Sequence, residues 1–543
     1  MSRAFEQNQR GTGVNAAAGN AANADSAAAG SCVADIALLL EGTYPYVRGG
    51  VSSWVHQIIS GLPEFRFAVI FVGGEPSLYG KAQYTFPPNV SHFETHYLLD
   101  NSAHTPKPRR GDPAAFAEMA ALHEQMRASA SCPHGAGKVG LSLDDMLNAF
   151  ARLGGEGGIS KTDFLFSEAA YDYISQQYRE RCTEPSFVDY FWAVRTMHTP
   201  LFVLADIARK LPPVRMVHSI STGYAGLLGA MIRLQRHIPF ALTEHGIYTK
   251  ERKIDLAQAT WIRDHNDDVS NTLHDEMGYI RGMWIKFFEQ IGRIAYSQAQ
   301  PIVSLYEGNR ERQIADGAIA ERTQVITNGI NLQRYATALQ KRPSGIPPVL
   351  GLIGRVVPIK DIKTFIRTMR ILANARPDAE GWIVGPEDED LSYVQECKDL
   401  VDSLGLQRNV KFLGFQNVAE ILPQLGLMVL TSISEALPLV ILEAFASGVP
   451  CVATDVGSCR ELIEGSTAED KAMGSAGAVV AIADPESTAQ AALALLNDPE
   501  RWQSAQRAGL QRVEKYYDDR MMFGAYRELY QATLASASAL SAE

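Results

Sequence analysis

The feature that most limits what this chain can fold into is an alternation of short apolar runs with longer amphipathic stretches, set out twice along its length. The first run, Ala34-Asp-Ile-Ala-Leu-Leu-Leu-Glu41, is apolar nearly throughout rather than at every second residue. A strand buried on both faces reads this way, and such strands belong to parallel sheets covered by helices on each side. Residues 51–62 then carry helical periodicity and 67–73 form a second apolar run, so the regular chain opens with a βαβ unit. Strands predicted at 215–219, 239–243, 302–305 and 323–326 extend this series, with helices at 201–210, 223–235, about 250–264 and 272–299. A second series starts at 349, with strands at 349–353, 381–384, 409–412, 427–431, 450–453 and 478–481. From 484 the pattern is helical and closes with 519–537. Two separate series predict an α/β fold of two Rossmann-like, doubly wound parallel sheets facing a central cleft. Ligands of such sheets bind beyond the carboxyl ends of the strands.

The expected layout follows. Residues 1–32, mostly Ala, Gly, Asn and Ser, bury too little surface to offset chain entropy and read as a disordered tail. The first domain spans 33–333, with a partly helical insertion near 76–195 that includes the loop Gly154-Gly-Glu-Gly-Gly158. Residues 334–348, with Pro343, Gly345, Pro347 and Pro348, read as a linker. The second domain spans 349–515, and 516–543 form a helix long enough to cross back to the first. A net charge of −11 argues against bulk nucleic-acid binding, yet a small phosphorylated ligand needs only two or three cations. No apolar run approaches the roughly 20 residues of a membrane span. The N-terminus has no signal-peptide core, and the six scattered cysteines form no C-x-x-C pair, so a reducing cytoplasm with free thiols is expected.

Two segments carry the chemistry. Gly351-Leu-Ile-Gly354-Arg355-Val-Val-Pro-Ile-Lys360-Asp361 puts Arg355 just past a strand end and Lys360 at the start of the next helix. Both cations suit a diphosphate, and a helix N-terminus adds partial positive charge; a solvated surface pair is the plainer alternative. The run from Ser434 to Pro450 holds Glu435, just past another strand end, and Glu443, inside the apolar Leu439-Val-Ile-Leu-Glu-Ala-Phe-Ala. Pro438 suits a first helical turn, which would leave the N–H groups of Leu439 and Val440 free for a phosphate. A carboxylate at Glu443 needs a partner, either ribose hydroxyls or a structural salt bridge. His245 follows a strand end and would point to the cleft, or serve as a structural hydrogen-bonding residue. His92 and His96 lack a third ligand nearby, so no metal site is expected. Gly135-Ala-Gly137-Lys138-Val lacks the full P-loop pattern, and the turn 42–50 lacks G-x-G-x-x-G.

The combination of Gly354-Arg355…Lys360, Glu435…Glu443, Gly448-Val-Pro450 and Asp455-Val-Gly457…Glu461 resembles the retaining glycosyltransferases of family 4, which have the GT-B fold. Gly49-Gly50-Val-Ser and Asn328-Gly-Ile match further elements of that family, so the resemblance covers nearly the whole chain beyond the tail. The opening Glu41-Gly-Thr-Tyr44-Pro45-Tyr46-Val-Arg-Gly49-Gly50 and Thr243-Glu-His245-Gly-Ile-Tyr248 look more specifically like the cytoplasmic glycosyltransferases of bacterial Pel exopolysaccharide synthesis. The resemblance implies Arg355 and Lys360 on the donor diphosphate, with Gly49, Gly50 and Gly354 letting backbone approach it. It implies Glu443 on the ribose, Glu435 facing the transferred sugar with Ala436 and Leu437 lining it, and His245 on the opposite wall. It further implies a UDP-sugar donor (UDP-glucose or a UDP-N-acetylhexosamine), a polysaccharide acceptor, and no cofactor or metal. Partners would be inner-membrane synthase and export proteins, with a cytoplasmic location that is peripheral at the inner membrane as a further option. A GT-B sugar-nucleotide epimerase, a phosphorylase (for which no pyridoxal phosphate lysine is marked) and a non-catalytic UDP-sugar-binding scaffold are the competing readings.

Overall fold

A computed structural model describes residues 32–99, 107–117, 119–120, 142–155, 158–182, 186–258 and 278–540. The tail expected at 1–32 (except its last residue), the run 135–138 and parts of the helices expected at 250–264 and 272–299 lie outside the described residues.

The apolar runs do form two parallel sheets. The first holds β1 (Ala34–Glu41), β2 (Phe67–Gly73), β3 (Val90–Tyr97), β4 (Val214–Ser219), β5 (Phe240–Glu244), β6 (Ile302–Ser304) and β7 (Thr323–Val325), in the order β3-β2-β1-β4-β5-β6-β7. The second holds β8 (Val349–Ile353), β9 (Glu380–Val384), β10 (Val410–Gly414), β11 (Leu427–Leu430), β12 (Cys451–Thr454) and β13 (Gly477–Val480), in the order β10-β9-β8-β11-β12-β13. The strand order reverses between β1 and β4 in one sheet and between β8 and β11 in the other. Ligand crevices of open parallel sheets form at such reversals, outside the carboxyl ends.

Side chains alternate across a strand, and the two cores of each sheet follow from that. In β1, Ala37 and Leu39 enter one core, while Ile36, Leu38 and Leu40 enter the other. In β11, Leu427 and Val429 face one side, and Met428 and Leu430 the other. The helices Leu143–Arg152, Glu168–Arg181 and Phe187–Lys210 share one core with the first sheet, so the region between β3 and β4 is fused to that domain rather than hung from it.

Three features differ from the sequence expectation or go beyond it. Val90–Tyr97, inside the stretch read as an insertion, is the outer strand β3, parallel to β2. An edge strand is buried on few of its positions, so Ser91, His92, Glu94 and His96 leave no apolar run to detect. The first part of the expected linker is the helix Leu332–Gln340, opened by Asn331, whose side chain accepts from the Arg334 N–H. Its Tyr335 and Ala338 are buried, and Tyr335 joins the core of the second domain. The terminal helix, Asp519–Leu540, packs Met522, Tyr526, Leu529 and Tyr530 against the first sheet. Where the chain recrosses, Ile330 N donates to Tyr517 O at 2.9 Å and Asp519 N donates to Ile330 O at 3.1 Å. A Cβ on Gly329 would sit 2.6 Å from the Asp519 Cα, which explains a glycine in Asn328-Gly-Ile. Among the described residues no helix is long and apolar enough to cross a membrane.

Candidate functional site

The second sheet builds one wall at its strand-order reversal. β8 ends at Ile353, and Gly354 N donates to Val384 O at 2.9 Å, which holds the strand end against β9. Arg355 emerges there, half-exposed, and its Nη1 donates to both carboxylate oxygens of Glu389 at 2.7 and 2.6 Å. Lys360 closes the short turn Pro358–Lys360, and its Nζ donates to Glu435 Oε1 at 2.5 Å. The Ser432 hydroxyl donates to the same oxygen at 2.6 Å. Backbone joins the two loops: Ile433 N donates to Ile359 O at 2.8 Å, and the Thr431 hydroxyl reaches the Lys360 and Asp361 carbonyls at 3.0 and 2.9 Å. Lys360 and Glu435 are largely sheltered, with side chains 22% and 13% exposed. A lysine ammonium has three donors, so this pairing leaves two for another acceptor.

The loop after β12 supports the same place. Gly457 has φ 54, and a Cβ on it would lie 2.4 Å from the carbonyl oxygens of both Glu435 and Ala436. Ser458 N donates to Ala436 O at 2.8 Å, and Leu437 is buried beside it. The helix Leu439–Ala446 begins after Pro438 with no side-chain cap, so no side chain claims the first-turn N–H groups of Leu439 and Val440. Glu443, on that helix, is half-buried and accepts from the Tyr335 hydroxyl at 2.7 Å. Burial raises its carboxyl above the usual range, against the lowering effects of Tyr335 and Arg334. Its partner within the fold is therefore a tyrosine, not the salt bridge weighed from sequence.

The first sheet presents its own strand ends, among them the one before His245. His245, immediately beyond β5, is buried, and its Nε2 has no hydrogen-bond partner among the described residues. Trp54 meets it edge-on with ring centroids 4.6 Å apart. Burial lowers the imidazole to about 4, so it is neutral at pH 7. One layer deeper, His218 contacts the Tyr530 hydroxyl at 2.8 Å through Nδ1 and the Thr243 hydroxyl at 2.9 Å through Nε2. Glu244, also buried, accepts from Thr222, Tyr296 and Gln313 side chains and from Tyr248 N, fixing the strand end that presents His245. Gly49 and Gly50 open the helix Gly50–Gly61 that carries Trp54. Gly49 is extended (φ 166), and a Cβ on either glycine would meet nothing within 4 Å. Packing within the chain therefore does not require glycine here; what the pair leaves is open space at a helix N-terminus.

The two domains share packing beyond β6. Leu305, just beyond β6, shares the second domain's core with Ile330 and Tyr335, and Tyr306 packs against that core. The Tyr306 phenol is pushed up to about 12 by burial and by the neighbouring Glu461. Lys360 and Glu435 are thus in direct contact, with Arg355 in the loop that follows β8. His245 makes no hydrogen bond to any of them. His92 and His96 flank Glu94 on one face of β3, each 2.8 Å from a carboxylate oxygen, and no metal-holding cluster occurs among the described residues. Sequence reasoning missed Glu389, Tyr335 and the supporting role of Gly457. Only the acidic Glu387-Asp-Glu389 run after Gly385 hinted at the first.

Comparison with known proteins agrees with this architecture. The family described as a domain of unknown function, DUF3492, matches residues 34–321, and "Glycosyl transferases group 1" matches residues 347–498. The latter range contains Arg355, Lys360, Glu435 and Glu443. The lipopolysaccharide core biosynthesis mannosyltransferase LpsB of Rhizobium meliloti is 32% identical over 205 residues, which cover 36% of this chain and 56% of that protein. Two further curated relatives are covered over only 38% and 44% of their length, so the chain spans about half the length of the curated relatives it matches. Anabaena HepE, solved in complex with UDP and glucose, superposes with a TM-score of 0.53 at 14% identity, over 92% of this chain and 99% of that one. Sucrose-phosphate synthase from Thermosynechococcus elongatus gives 0.54 at 16% identity, over 92% and 100%. At such identities the likeness speaks for the fold alone, which is GT-B. The chain belongs to the DUF3492 family, and its residues 347–498 match the group 1 glycosyl transferases.

Proposed function

We propose that this protein transfers a hexosyl or N-acetylhexosaminyl group from a UDP-sugar to a growing exopolysaccharide of the Pel type, with retention at the anomeric carbon and without a metal ion. One observation carries the reading: the Lys360–Glu435 pair at the reversal between β8 and β11, with Arg355 beyond the same β8 end. Two cations and an acceptor gathered at this reversal support a site for a sugar diphosphate. The UDP and glucose held by HepE support the donor class. The lipopolysaccharide role of the Rhizobium relative supports a glycan acceptor.

In this proposal Arg355 and Lys360 hold the diphosphate, and the open backbone at Gly49, Gly50 and Gly354 admits it. The N–H groups of Leu439 and Val440 add donors. Glu443, oriented by Tyr335, accepts from ribose hydroxyls, while Glu435, fixed by Lys360 and Ser432, accepts from the sugar. Ala436 and Leu437 line that sugar, and neutral His245 faces it. The bond from the anomeric carbon to the diphosphate oxygen breaks, and the acceptor oxygen bonds to the same face. The acceptor's proton passes to the departing diphosphate. Charge grows on that diphosphate, so Arg355 and Lys360 lower the barrier by meeting it with fixed cations. Lacking a membrane-spanning helix among its described residues, the protein would work at the inner membrane beside synthase and export proteins that pass the polymer across.

Calorimetric titration with UDP tests the reading. A charge-assisted hydrogen bond contributes about 1.5–3 kcal/mol, so Lys360→Ala should weaken UDP binding roughly 10- to 150-fold. Glu435→Ala should impair transfer more than UDP affinity. Absence of binding by any uridine nucleotide would sink the proposal, and loss of transfer in EDTA would remove its metal-free part.

A further inference from the structure

The opposite end of the first sheet carries a second concave site. A groove of about 1390 Å³ runs along the amino-terminal edges of β4 to β7, where Arg215, Pro239, Pro301 and Thr323 begin or precede the strands. Its other wall is the terminal helix, through Glu528 and Leu529 among others. Parallel sheets present their ligand crevices at the carboxyl ends, so this groove is separate from the donor cleft by topology.

Its charge is out of keeping with the protein. The chain carries 61 acidic against 50 basic residues, yet the groove gathers Arg215, Arg233, Arg236 and Arg322 against only Glu321 and Glu528. Both glutamates are exposed, whereas Arg233, Arg236 and Arg322 are half-buried. Arg215 is paired with Asp35 at 3.5 Å. Arg236 spends its donors on the Ala208 and Arg209 carbonyls, a role in closing the preceding helix. Arg322 gives one nitrogen to Ser297 O at 2.9 Å. Arg233 has neither a carboxylate nor a carbonyl partner among the described residues. Burial and, after it, the charge of Arg322 hold Arg233 below the usual guanidinium range. Two guanidiniums facing one groove repel each other, and a bound anion would turn that repulsion into a shared attraction. Guanidiniums present forked donors that fit phosphate oxygens.

We propose that this groove is an anion site that takes a phosphate-bearing ligand between Arg233 and Arg322, with Arg215 and Arg236 shaping the surrounding field. The phosphate could be carried by a soluble small molecule or by a phospholipid headgroup, and the two sources differ in how they reach the groove. The second would hold the rear edge of the first domain to a membrane.

The test uses the full chain saturated with UDP, so that the donor cleft is occupied. Inorganic pyrophosphate is titrated by calorimetry, and phosphatidylglycerol vesicles by co-sedimentation against phosphatidylcholine vesicles. At least one anionic probe should bind, and Arg233→Gln with Arg322→Gln should weaken it tenfold or more while leaving UDP affinity unchanged. Arg355→Ala with Lys360→Ala should leave that rear-site binding intact. Pyrophosphate binding without vesicle binding assigns the soluble source, and the reverse assigns the headgroup. Should the double variant fold poorly, Arg233→Gln alone serves, since that side chain makes no hydrogen bond among the described residues. Binding by neither probe, or equal binding to the folded variants, overturns the proposal.

Discussion

Mild acid should loosen the first domain through His218 and His245. Both are buried in the first domain, and burial lowers His218 to about 3 and His245 to about 4. The unfolded chain titrates these groups near 6.5. Between the two ranges the unfolded state binds more protons than the folded one, so stability rises with pH. The contribution is complete above about 6.5 and is lost as pH falls toward the folded values. At pH 5 each histidine costs about 2 kcal/mol relative to pH 7.5, or about 4 kcal/mol together. That is a large share of a domain stability of about 5–15 kcal/mol. Glu244 acts the other way: burial raises its carboxyl, so protonating it in acid favours the folded state and offsets part of the loss. The comparison that isolates the histidines is therefore the protein against its His218→Asn, His245→Asn variant. Urea unfolding read by hydrogen exchange on β4 and β5 peptides gives the stability at each pH. The variant should start lower yet lose about 4 kcal/mol less between pH 7.5 and 5. Parallel pH dependences in the two proteins would refute the reasoning.

Two further outcomes follow from single contacts. Gly457→Ala would press a methyl against the Glu435 and Ala436 carbonyls at a positive φ, so UDP affinity by calorimetry should fall with the displaced Glu435 loop; unchanged affinity and thermal stability would contradict this. Arg512 and Asp470 form a fully buried ion pair at 2.5 Å, and Arg512 also donates to the Leu462, Ile463, Asp470 and Gly474 carbonyls, so Arg512→Met should cost the second domain about 3–5 kcal/mol in urea, and adding Asp470→Leu should restore only the part due to the stranded carboxylate. Equal stability of the single and double variants would count against that account.

Much of the fold was legible because buried parallel strands announce themselves. Every strand of the second sheet overlaps an apolar run, from Val349–Ile353 to Gly477–Val480. β3 escaped because an edge strand satisfies its backbone on one side only and tolerates His92, Glu94 and His96. The helix Leu332–Gln340 was hidden by the prolines that follow it, although Asn331 is a regular N-cap. In the candidate site, Arg355 and Glu435 could be placed at strand ends from the length of the preceding apolar runs. That Glu443 meets Tyr335, 108 residues away, and that Arg355 meets Glu389 could not be read from local pattern.

By itself the sequence determined the elements: which segments are strands buried on both faces, which are helices, and which polar residues follow strand ends. Those properties depend on the period of neighbouring side chains, which is local. The tertiary structure alone decided how the elements are ordered and which distant groups touch. The terminal helix returns to bury Tyr526 and Tyr530 in the first domain, hydroxyl groups of Thr243 and Tyr530 meet His218, and Lys360 reaches Glu435 across 75 residues. The same holds for Arg233 and Arg322, whose shared groove exists only once the strands are laid side by side. Such contacts depend on packing many segments at once, and no short window of sequence encodes them.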